Sequence, residues 1–447
     1  MSRRSLGRAR AKVERTHEEQ APAGCAAHDW VVERLVPGGD GFARLPDGCA
    51  AFAAGALPGD RIRPLSVERR KGYVRALAWQ LIEAGTARIE APCKIADRCG
   101  GCDFMALTAE AQRAAKCGML REAMRRTGGF RELPAGVAVK SIGPSLGYRT
   151  RVRLHIDEQG RLGLFARGTH DLIELDECLV CHAGINDALR GLRRIVGSNR
   201  ESVAEFEQVE IRVPEGGEHA VLVFSPRAGQ GRLSPAASAL LERLREAFRV
   251  SVAGSGGNAE LVRHTLPGGL ELHVPASSFE QVNWSVNRAL VARVVELSTQ
   301  HRIGRFVELY AGSGNFTLPL LAAGTRGVAI EGNAAAARAL AESAASSGYD
   351  LAVLIGDVRQ QLAALQERGE RADLVLLDPP RAGARAVLGD LIALAPAHVA
   401  FCSCDPVTLA RDLRVLRAAG FELLVLEGYD MFPQTHHLES LAWLSRR

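Results

Sequence analysis

The chain has 447 residues, of which 47% are apolar and 24% charged, a composition typical of soluble globular proteins with two or three domains. The net charge is +5 and nearly all the basic residues are arginine, which permits a nucleic-acid partner without requiring one. No run of about 18 uncharged apolar residues occurs, and residues 1–24 contain no apolar signal segment. We therefore expect no membrane span and no secretory leader, and we expect a cytoplasmic protein with a disordered basic tail at residues 1–24.

Residues 25–85 alternate short apolar segments with Gly-, Pro- and Asp-containing turns, which is typical of a small β-barrel of the oligonucleotide-binding type. A basic stretch, Arg61 to Lys71, lies on this barrel. Five short strands are predicted, at Val31-Val32, Leu35, Phe42-Ala43, Ala51-Phe52 and Val74-Arg75-Ala76.

Residues 86–269 combine strand-like segments with a group of cysteines, and we interpret them as a largely β central domain. Helices are predicted at residues 109–126 and 236–248, and strand-like runs at 151–156, 162–165 and 220–224. The cysteines make this domain a candidate for a metal site.

Three of these cysteines, Cys93, Cys99 and Cys102, have a C-x5-C-x2-C spacing that lets their thiolates converge on one point. A fourth ligand would come from the later pair Cys178 and Cys181. Three neighbouring cysteines plus one distant cysteine are typical of a [4Fe–4S] cluster. Zinc, which prefers two C-x2-C pairs, is the alternative. A disulfide is not expected in the reducing cytoplasm.

Residues 270–447 alternate apolar strands with helices of 10 to 15 residues, which predicts a doubly wound Rossmann-like α/β sheet. The chain as a whole is thus predicted to be an α/β protein with a β-barrel and a largely β domain ahead of this sheet. The predicted strands are Phe306–Tyr310, Gly327–Ile330, Ala352–Ile355, Leu374–Leu377 and Val399–Phe401.

Polar groups follow three successive strands in a pattern that predicts a nucleoside cofactor. Gly312 and Gly314 follow the first strand, and glycines there let the backbone turn tightly against a ligand. Glu331 ends the second strand, where a carboxylate meets a ribose diol, and Asp357 follows the third, where it could contact adenine. No third glycine completes the dinucleotide motif, so S-adenosylmethionine is favoured over a nicotinamide cofactor.

The fourth and fifth strands are followed by groups that define the reaction. Asp378-Pro-Pro is followed by Arg381 rather than by an aromatic residue, which disfavours methylation of an exocyclic amine. Cys402 fits a buried apolar role. Cys404, by contrast, lies past the strand and beside the start of a helix at Pro406, where the helix dipole is expected to lower its pKa.

A thiolate in this place suits methylation of a pyrimidine carbon. C5 of uracil is a weak nucleophile until a thiolate adds to C6 and turns the ring into an enolate. The proton on C5 must then be removed by a general base before the thiolate can leave. Glu439, at the start of the predicted last strand, is the candidate base, although an isolated glutamate is more often a surface acid.

From about Trp30 onward the sequence resembles the RNA uracil-5-methyltransferase family, and within it the bacterial branch that modifies large-subunit ribosomal RNA. The motifs that carry the resemblance occur in family order: the N-terminal barrel (a TRAM domain), C-x5-C-G-G-C, YAGSGNFTLP, DPPRAG, SCDP and DMFPQTHHLES.

The resemblance implies roles for particular residues. Cys404 would be the nucleophile and Glu439 the proton acceptor, Phe279 would face the target base, and Arg381 would stabilise the enolate oxygen. The implied cofactor residues are Gln281, Tyr310, Asn315, Glu331, Asp357 and Asp378. The implied cluster ligands are Cys93, Cys99, Cys102 and Cys178, with Cys181 as the alternative fourth ligand.

Three positions depart from the family pattern: Asp405 stands where asparagine is common, Asp103 where a glutamine is often found, and Ala382 where lysine is frequent. A like charge at Asp405 would raise the pKa of Cys404. Because the chain has both the barrel and the cysteine group, we favour ribosomal RNA over transfer RNA as the substrate of a monomeric enzyme. A non-catalytic RNA-binding or ribosome-assembly protein is a second hypothesis, and a cytosine-C5 methyltransferase fits the residues less well.

Overall fold

The computed structural model describes residues 28–214, 219–229, 232–254 and 260–446. The predicted tail at residues 1–24 lies outside the described residues. The chain divides into two compact units, residues 1–34 with 40–86 and residues 35–39 with 87–447. Within the described residues, no helix is long and apolar enough to cross a membrane.

The first unit is a six-stranded β-sheet in the order β1-β5-β6-β4-β3-β2 around its own apolar core. The five short strands predicted from the sequence do not include β5, which was interpreted only as a basic stretch. In β5 the exposed Arg61 and Arg63 alternate with the buried Ile62 and Pro64, as expected for a strand with one buried face. The basic stretch is thus largely a strand. The strands are β1 (Trp30–Val31), β2 (Arg34–Leu35), β3 (Gly41–Arg44), β4 (Ala50–Ala53), β5 (Arg61–Arg70) and β6 (Tyr73–Glu83).

The second unit begins with a helix and a largely β region. Its elements are α1 (Ala109–Arg126), β7 (Val139–Lys140), β8 (Arg151–Ile156), β9 (Leu162–Phe165), β10 (Leu172–Ile173), α2 (Ala183–Val196), α3 (Arg200–Val203), β11 (Phe206–Arg212), β12 (Val221–Pro226), α4 (Pro235–Arg245), β13 (Arg249–Val252), β14 (Leu261–Thr265) and β15 (Glu271–Pro275). Strands β8 to β13 form one sheet in the order β10-β9-β8-β11-β12-β13, and α2 and α4 pack on its apolar face. Strands β14 and β15 form a separate hairpin.

The remainder of the second unit alternates strands and helices, as the sequence predicted. Its elements are α5 (Trp284–Gln300), β16 (Arg305–Leu309), α6 (Thr317–Ala322), β17 (Arg326–Glu331), α7 (Ala334–Ser346), β18 (Leu351–Ile355), α8 (Val358–Glu367), β19 (Leu374–Leu377), α9 (Leu388–Ala393), β20 (His398–Ser403), α10 (Pro406–Ala418), β21 (Phe421–Tyr429) and β22 (Glu439–Arg446). The seven strands β16 to β22 and the earlier β7 form an eight-stranded sheet in the order β18-β17-β16-β19-β20-β22-β21-β7.

This sheet is buried on both faces, which is the arrangement of a doubly wound fold. Neighbouring side chains of β20 enter different cores: Val399 and Phe401 pack with α8, α9 and α10, while Ala400 and Cys402 pack with α5, α6 and α7. The strand order reverses between β16 and β19, and ligands of such sheets bind at the carboxyl ends of the strands near that reversal. The predicted α/β fold class is confirmed.

Two elements upstream of residue 270 also belong to this sheet. The short strand β7 pairs in parallel with β21, and Leu120 and Met124 of α1 pack into the same core as α10. The predicted methyltransferase domain, residues 270–447, therefore does not contain the whole of this sheet. The edge strand β7 and the packing helix α1 come from residues that precede the central sheet.

Candidate active site

Cys404 lies at the carboxyl edge of the large sheet, between the end of β20 and the start of α10. Asp405 caps that helix, since its Oδ1 accepts hydrogen bonds from the backbone N–H groups of Val407 at 2.9 Å and Thr408 at 2.8 Å. Cys404 is half-buried, whereas Cys402, two residues earlier, is fully buried in the apolar core as expected. The sheet therefore presents one thiol at its edge and retains the other inside.

Glu439 meets Cys404 across the sheet because β22 runs antiparallel to β20. The two strands pair Ser403 with Ser440, and Cys404 and Glu439 each lie one residue beyond that pair. The backbone of Ser440 and of Ser403 lowers the pKa of the Glu439 carboxylate, against the larger effect of burial. Its Oε1 is buried and has no hydrogen-bond partner within the described residues. Glu439 is thus a buried group beside the thiol rather than a surface acid.

The surroundings of the site disfavour ionisation of both Cys404 and Glu439. Burial raises the pKa of Cys404 to about 11, the charges of Glu439 and Asp378 add to the shift, and Arg381 opposes it. Burial and the charge of Asp378 raise the pKa of Glu439 well above its ordinary value. The expectation that the helix dipole would lower the pKa of Cys404 was therefore wrong in its net direction. The largest like-charge effects on Cys404 come from Glu439 and Asp378.

This electrostatic balance predicts opposite effects of two amide substitutions on the reactivity of Cys404. Glu439→Gln removes a like charge, lowers the pKa of the thiol and should speed its alkylation by iodoacetamide at pH 8. Arg381→Gln removes the opposite charge and should slow it. Each pKa unit is worth about tenfold in thiolate. Peptide mass spectrometry would follow Cys404, with the half-buried Cys49 as internal reference. Equal rates in the three proteins would refute the assigned charges.

Arg381 connects the nucleophile to the segment that precedes Glu439. Its guanidinium lies near the Cys404 thiol and lowers the pKa of that thiol, and Nη2 lies 3.3 Å from Nε2 of His437. Burial, together with the neighbouring His436 and Arg381, lowers the pKa of His437 to about 4. A neutral imidazole can accept the hydrogen bond from Arg381. Asp378, which directly follows β19, has its pKa raised by burial to about 6.

The predicted cofactor loop is tightly constrained. Tyr310 follows β16 with a φ of 62°, a left-handed conformation that non-glycine residues rarely adopt outside functional sites. Gly314 has a φ of 100°, and a Cβ there would lie 2.5 Å from the side chain of Leu340. The Glu331 carboxylate fixes the loop from β17, accepting hydrogen bonds from the backbone N–H of Gly312 at 2.8 Å and of Asn333 at 2.6 Å.

The other predicted cofactor residues surround this loop. Asp357 is exposed at the start of α8, and its charge is felt by Tyr310, whose pKa is raised first by burial and then by Asp357. Asn315 exchanges two hydrogen bonds, of 2.7 and 2.9 Å, with the buried Asn287 of α5. Gln281 is buried just before α5. The structure thus brings Tyr310, Glu331, Asp357 and Asn315 to one edge of the sheet.

Sequence reasoning missed two buried polar residues beneath this loop. Asn287 orients the Asn315 amide, and Glu308 of β16 contacts the Thr317 hydroxyl at 2.5 Å. Burial raises the pKa of Glu308 to about 8, although the Thr317 hydrogen bond lowers it, so the group is protonated near neutral pH. A glutamate within an otherwise apolar strand was the available signal for Glu308. Asn287 gave none beyond its spacing of one helical turn from Asn283.

Phe279 is one of the most exposed large apolar side chains described, at 70% of its full surface. The Arg151 guanidinium lies 5.7 Å from the centre of its ring. An exposed ring beside a cation is suited to stacking on a nucleobase. Four residues after Phe279, the Asn283 side chain donates to the carbonyl of Met431 at 3.3 Å. Met431 lies in the segment before Glu439, so this hydrogen bond connects the Phe279 region to the catalytic edge.

The cysteines gather at a second place in the same unit. Cys93, Cys102 and Cys178 pack against an apolar cluster formed by Met105, Tyr148 and Val180. Burial raises the pKa of Cys102 to about 12, and the nearby thiolates of Cys178, Cys99 and Cys93 add to the shift. Cys181 instead packs into the core of the central sheet. In the part of the chain that is described, no three His, Cys, Asp or Glu side chains are placed to hold a single metal ion.

Comparison with known proteins gives a family match over most of the chain. The model of the family described as tRNA (uracil-5-)-methyltransferase matches residues 143–447. The 23S rRNA (uracil(1939)-C(5))-methyltransferase RlmD of Pseudomonas putida is 34% identical, over 92% of this chain and 92% of its own. The protein of the same name from Halomonas elongata is 33% identical, over 99% of this chain and 96% of its own. An uncharacterized RNA methyltransferase of Gloeobacter violaceus is 30% identical over 93% of this chain.

Among solved structures, the tRNA (uracil-54, C5)-methyltransferase of Pyrococcus abyssi in complex with S-adenosyl-L-homocysteine is similar to this chain with a TM-score of 0.69. The alignment covers 93% of this chain and 100% of that one at 22% sequence identity. At that identity the similarity establishes a shared fold.

Proposed function

The chain belongs to the family of RNA uracil-5-methyltransferases and is an enzyme that methylates RNA, and from that premise we propose that it transfers a methyl group from S-adenosylmethionine to C5 of a uracil in 23S ribosomal RNA. The observation that carries the proposal is the placement of Cys404 opposite Glu439 at the catalytic edge of the sheet. Neither residue alone would perform the reaction, because Cys404 must add to the uracil ring and Glu439 must remove the C5 proton so that the double bond reforms.

In the proposed reaction, the Cys404 thiolate forms a bond to C6, and the electrons of the C5–C6 double bond move onto O4. Arg381, whose charge acts on the thiol, would stabilise that negative charge. Bound S-adenosylmethionine would supply an electrophilic methyl group; C5 would form the new carbon–carbon bond as the sulfur–methyl bond breaks, leaving S-adenosylhomocysteine. Glu439 takes the C5 proton, the C5–C6 double bond reforms, and the thiolate leaves.

The raised pKa of Glu439 serves the last step of this reaction. A carboxylate with a raised pKa is a stronger base once ionised, and its buried Oε1 has no competing hydrogen bond among the described residues. Arg381 assists the first step, because its charge offsets part of the rise in the Cys404 pKa. The two roles require that the target base leaves its stack and enters the site.

We assign the cofactor to the edge formed by β16, β17 and β18. The bend at Tyr310 and the tight turn at Gly314 bring the backbone close to a ligand. Glu331 would face the ribose, Asp357 the adenine, and Gln281, Asn315 and Asp378 the methionine part. Support comes from the order of the strands: Tyr310, Glu331 and Asp357 lie at the ends of β16, β17 and β18, and only β19, which Asp378 follows, separates β16 from β20.

Ribosomal RNA is proposed as the substrate because relatives named for 23S rRNA match nearly the whole chain. Transfer RNA is the second candidate, since the family description and the Pyrococcus abyssi protein name it. Mapping 5-methyluridine by mass spectrometry in ribosomal and transfer RNA of cells that lack the protein tests both. Loss at a ribosomal position supports the proposal, loss confined to transfer RNA overturns the substrate, and no loss favours a non-catalytic RNA-binding or assembly role.

We also propose that Cys93, Cys99, Cys102 and Cys178 hold a [4Fe–4S] cluster. The donor set consists of four cysteines, and Cys178 shares the apolar pocket of Cys93 and Cys102 while Cys181 does not. In a four-iron cluster each thiolate binds a different iron, so the ligands lie farther apart than around one zinc ion.

The cluster assignment is tested by iron and sulfide content and visible absorbance of anaerobically purified protein. Cys178→Ala should lose the cluster, while the matched variant Cys181→Ala should retain it. Bound zinc in the wild type, or cluster loss only in Cys181→Ala, would contradict the assignment.

The first unit is proposed to be a TRAM domain that contacts RNA beside the target. Leu65 of β5 and Leu77 of β6 are more than 60% exposed on its long strands, where nucleotides could stack. We further propose a monomeric, cytoplasmic enzyme, since its substrate would be RNA of the ribosome.

A further inference from the structure

The segment that leads to Glu439, residues 430–437, is held by residues that follow the cysteines. Lys116 of α1 is fully buried, and its Nζ lies 2.6 Å from Oδ1 of Asp430 and 2.9 Å from the carbonyl oxygen of Phe432. Removing one partner of a buried ion pair leaves an uncompensated charge and is strongly destabilising. The start of the segment is therefore fixed to α1.

The middle of the segment is held just as closely. Gln434 has a φ of 70° and exchanges two hydrogen bonds of 2.9 Å with Gln112 of α1. Its carbonyl accepts from the backbone N–H of Phe104 at 2.9 Å. The Tyr148 hydroxyl donates to the carbonyl of Pro433 at 3.0 Å. These contacts keep a non-glycine residue in a strained conformation.

The end of the segment is attached to the residue that follows Cys102. Oδ2 of Asp103 lies 2.5 Å from Nδ1 of His436 and 3.4 Å from its backbone nitrogen. Arg167 holds Asp103 from the other side, with Nη1 3.4 Å from Oδ1, and donates to the Cys102 carbonyl at 2.7 Å. Asp103 is thus fixed to the backbone of the cysteine group and fixes His436.

From His436 the contacts continue to the thiol. The rings of His436 and His437 lie 4.1 Å apart, and His437 contacts Arg381 at 3.3 Å. Arg381 in turn lies near enough to Cys404 to lower the pKa of its thiol. A continuous series of contacts therefore runs from Cys102 to Arg381, beside Cys404, and Asp103 with His436 is its link between distant parts of the chain.

We propose that Asp103 and His436 act as a pair of positioning residues for methyl transfer, fixing His437 and Arg381 against Cys404; this rests on the proposed function. The pair is distinct from the contacts that hold the fold. Lys116 and Gln112 already secure the buried start and middle of the segment, whereas both members of the pair are about one-quarter to one-fifth exposed. Their loss should therefore disturb Arg381 more than it disturbs folding.

A double-mutant cycle with Asp103→Asn, His436→Gln and the double variant tests the pair. Each single variant should lower kcat for uracil methylation about tenfold with KM for RNA within about twofold, because a small displacement of a reacting group costs this much. The double variant should lose about tenfold as well, since either change breaks the same contact. Alkylation of Cys404 should slow about threefold in all three, as Arg381 withdraws from the thiol.

Asp97→Asn is the matched control, the same substitution at an exposed aspartate between Cys93 and Cys99, and it should behave as wild type. The pairing is overturned if the single losses multiply to about a hundredfold, if alkylation is unchanged, or if the variants match Asp97→Asn. His436→Asn replaces His436→Gln if the latter does not fold. A wild-type protein that does not methylate RNA would instead refute the proposed function, while the alkylation series would still test the contacts.

Discussion

Cys404→Ala should abolish formation of 5-methyluridine, with a fall in rate of at least about a thousandfold. Without the thiolate no bond forms at C6, C5 stays a weak nucleophile, and no other described thiol can substitute because Cys402 is fully buried in the core. The measurement is mass spectrometry of methylated nucleosides after incubation of an RNA transcript with S-adenosylmethionine. Binding of the RNA should change little, since the substitution removes one half-buried sulfur.

Cys402→Ala is the matched control, as it makes the same change two residues earlier, inside strand β20. Cys402 faces the core formed with α5, α6 and α7, so its substitution should affect stability modestly and leave methylation in place. Measurable turnover by Cys404→Ala, or equal losses in the two variants, would remove Cys404 from the nucleophile's role.

Glu439→Gln should trap the enzyme on its RNA as a covalent adduct. The amide keeps the shape of the side chain but cannot accept the C5 proton, so the methylated ring stays attached to Cys404. Loss of the like charge also favours the thiolate and hence the first addition. The adduct is measured as an RNA–protein species that survives denaturing electrophoresis and carries the mass of one methyl group, with the attachment mapped to the peptide that contains Cys404.

Glu422→Gln provides the control, because Glu422 is exposed on the neighbouring strand β21, away from the catalytic edge. It should turn over normally and leave no adduct. Free turnover by Glu439→Gln would assign proton removal to another group. The double variant Cys404→Ala with Glu439→Gln should give no adduct, which ties the attachment to this thiol.

Local sequence patterns determined most of the secondary structure of the large sheet. The predicted strand at 374–377 and the helix at 109–126 have the observed bounds, because strand and helix periodicity reflect the burial of neighbouring residues. The tight glycine turn after β16 and the helix start at Pro406 were likewise encoded locally, since backbone conformation there depends on the residues themselves. The charged strand β5 was not predicted, because its many charged residues hide the strand pattern until it is known which face is buried.

The active site itself was decided by tertiary structure. Motif resemblance proposed Cys404 and Glu439 together, but their meeting depends on β22 inserting antiparallel beside β20, a long-range pairing that no local pattern encodes. The same holds for β7, which joins the sheet from residues 139–140, and for the contact of Asp103 with His436. The sequence also suggested a lowered pKa for Cys404, whereas burial and two carboxylates brought from other strands raise it. Hydrogen bonds between residues that are close in sequence stabilise helices and turns, so local patterns can predict them. The charge state of a site depends instead on burial and on charges that only the folded chain brings within a few ångströms.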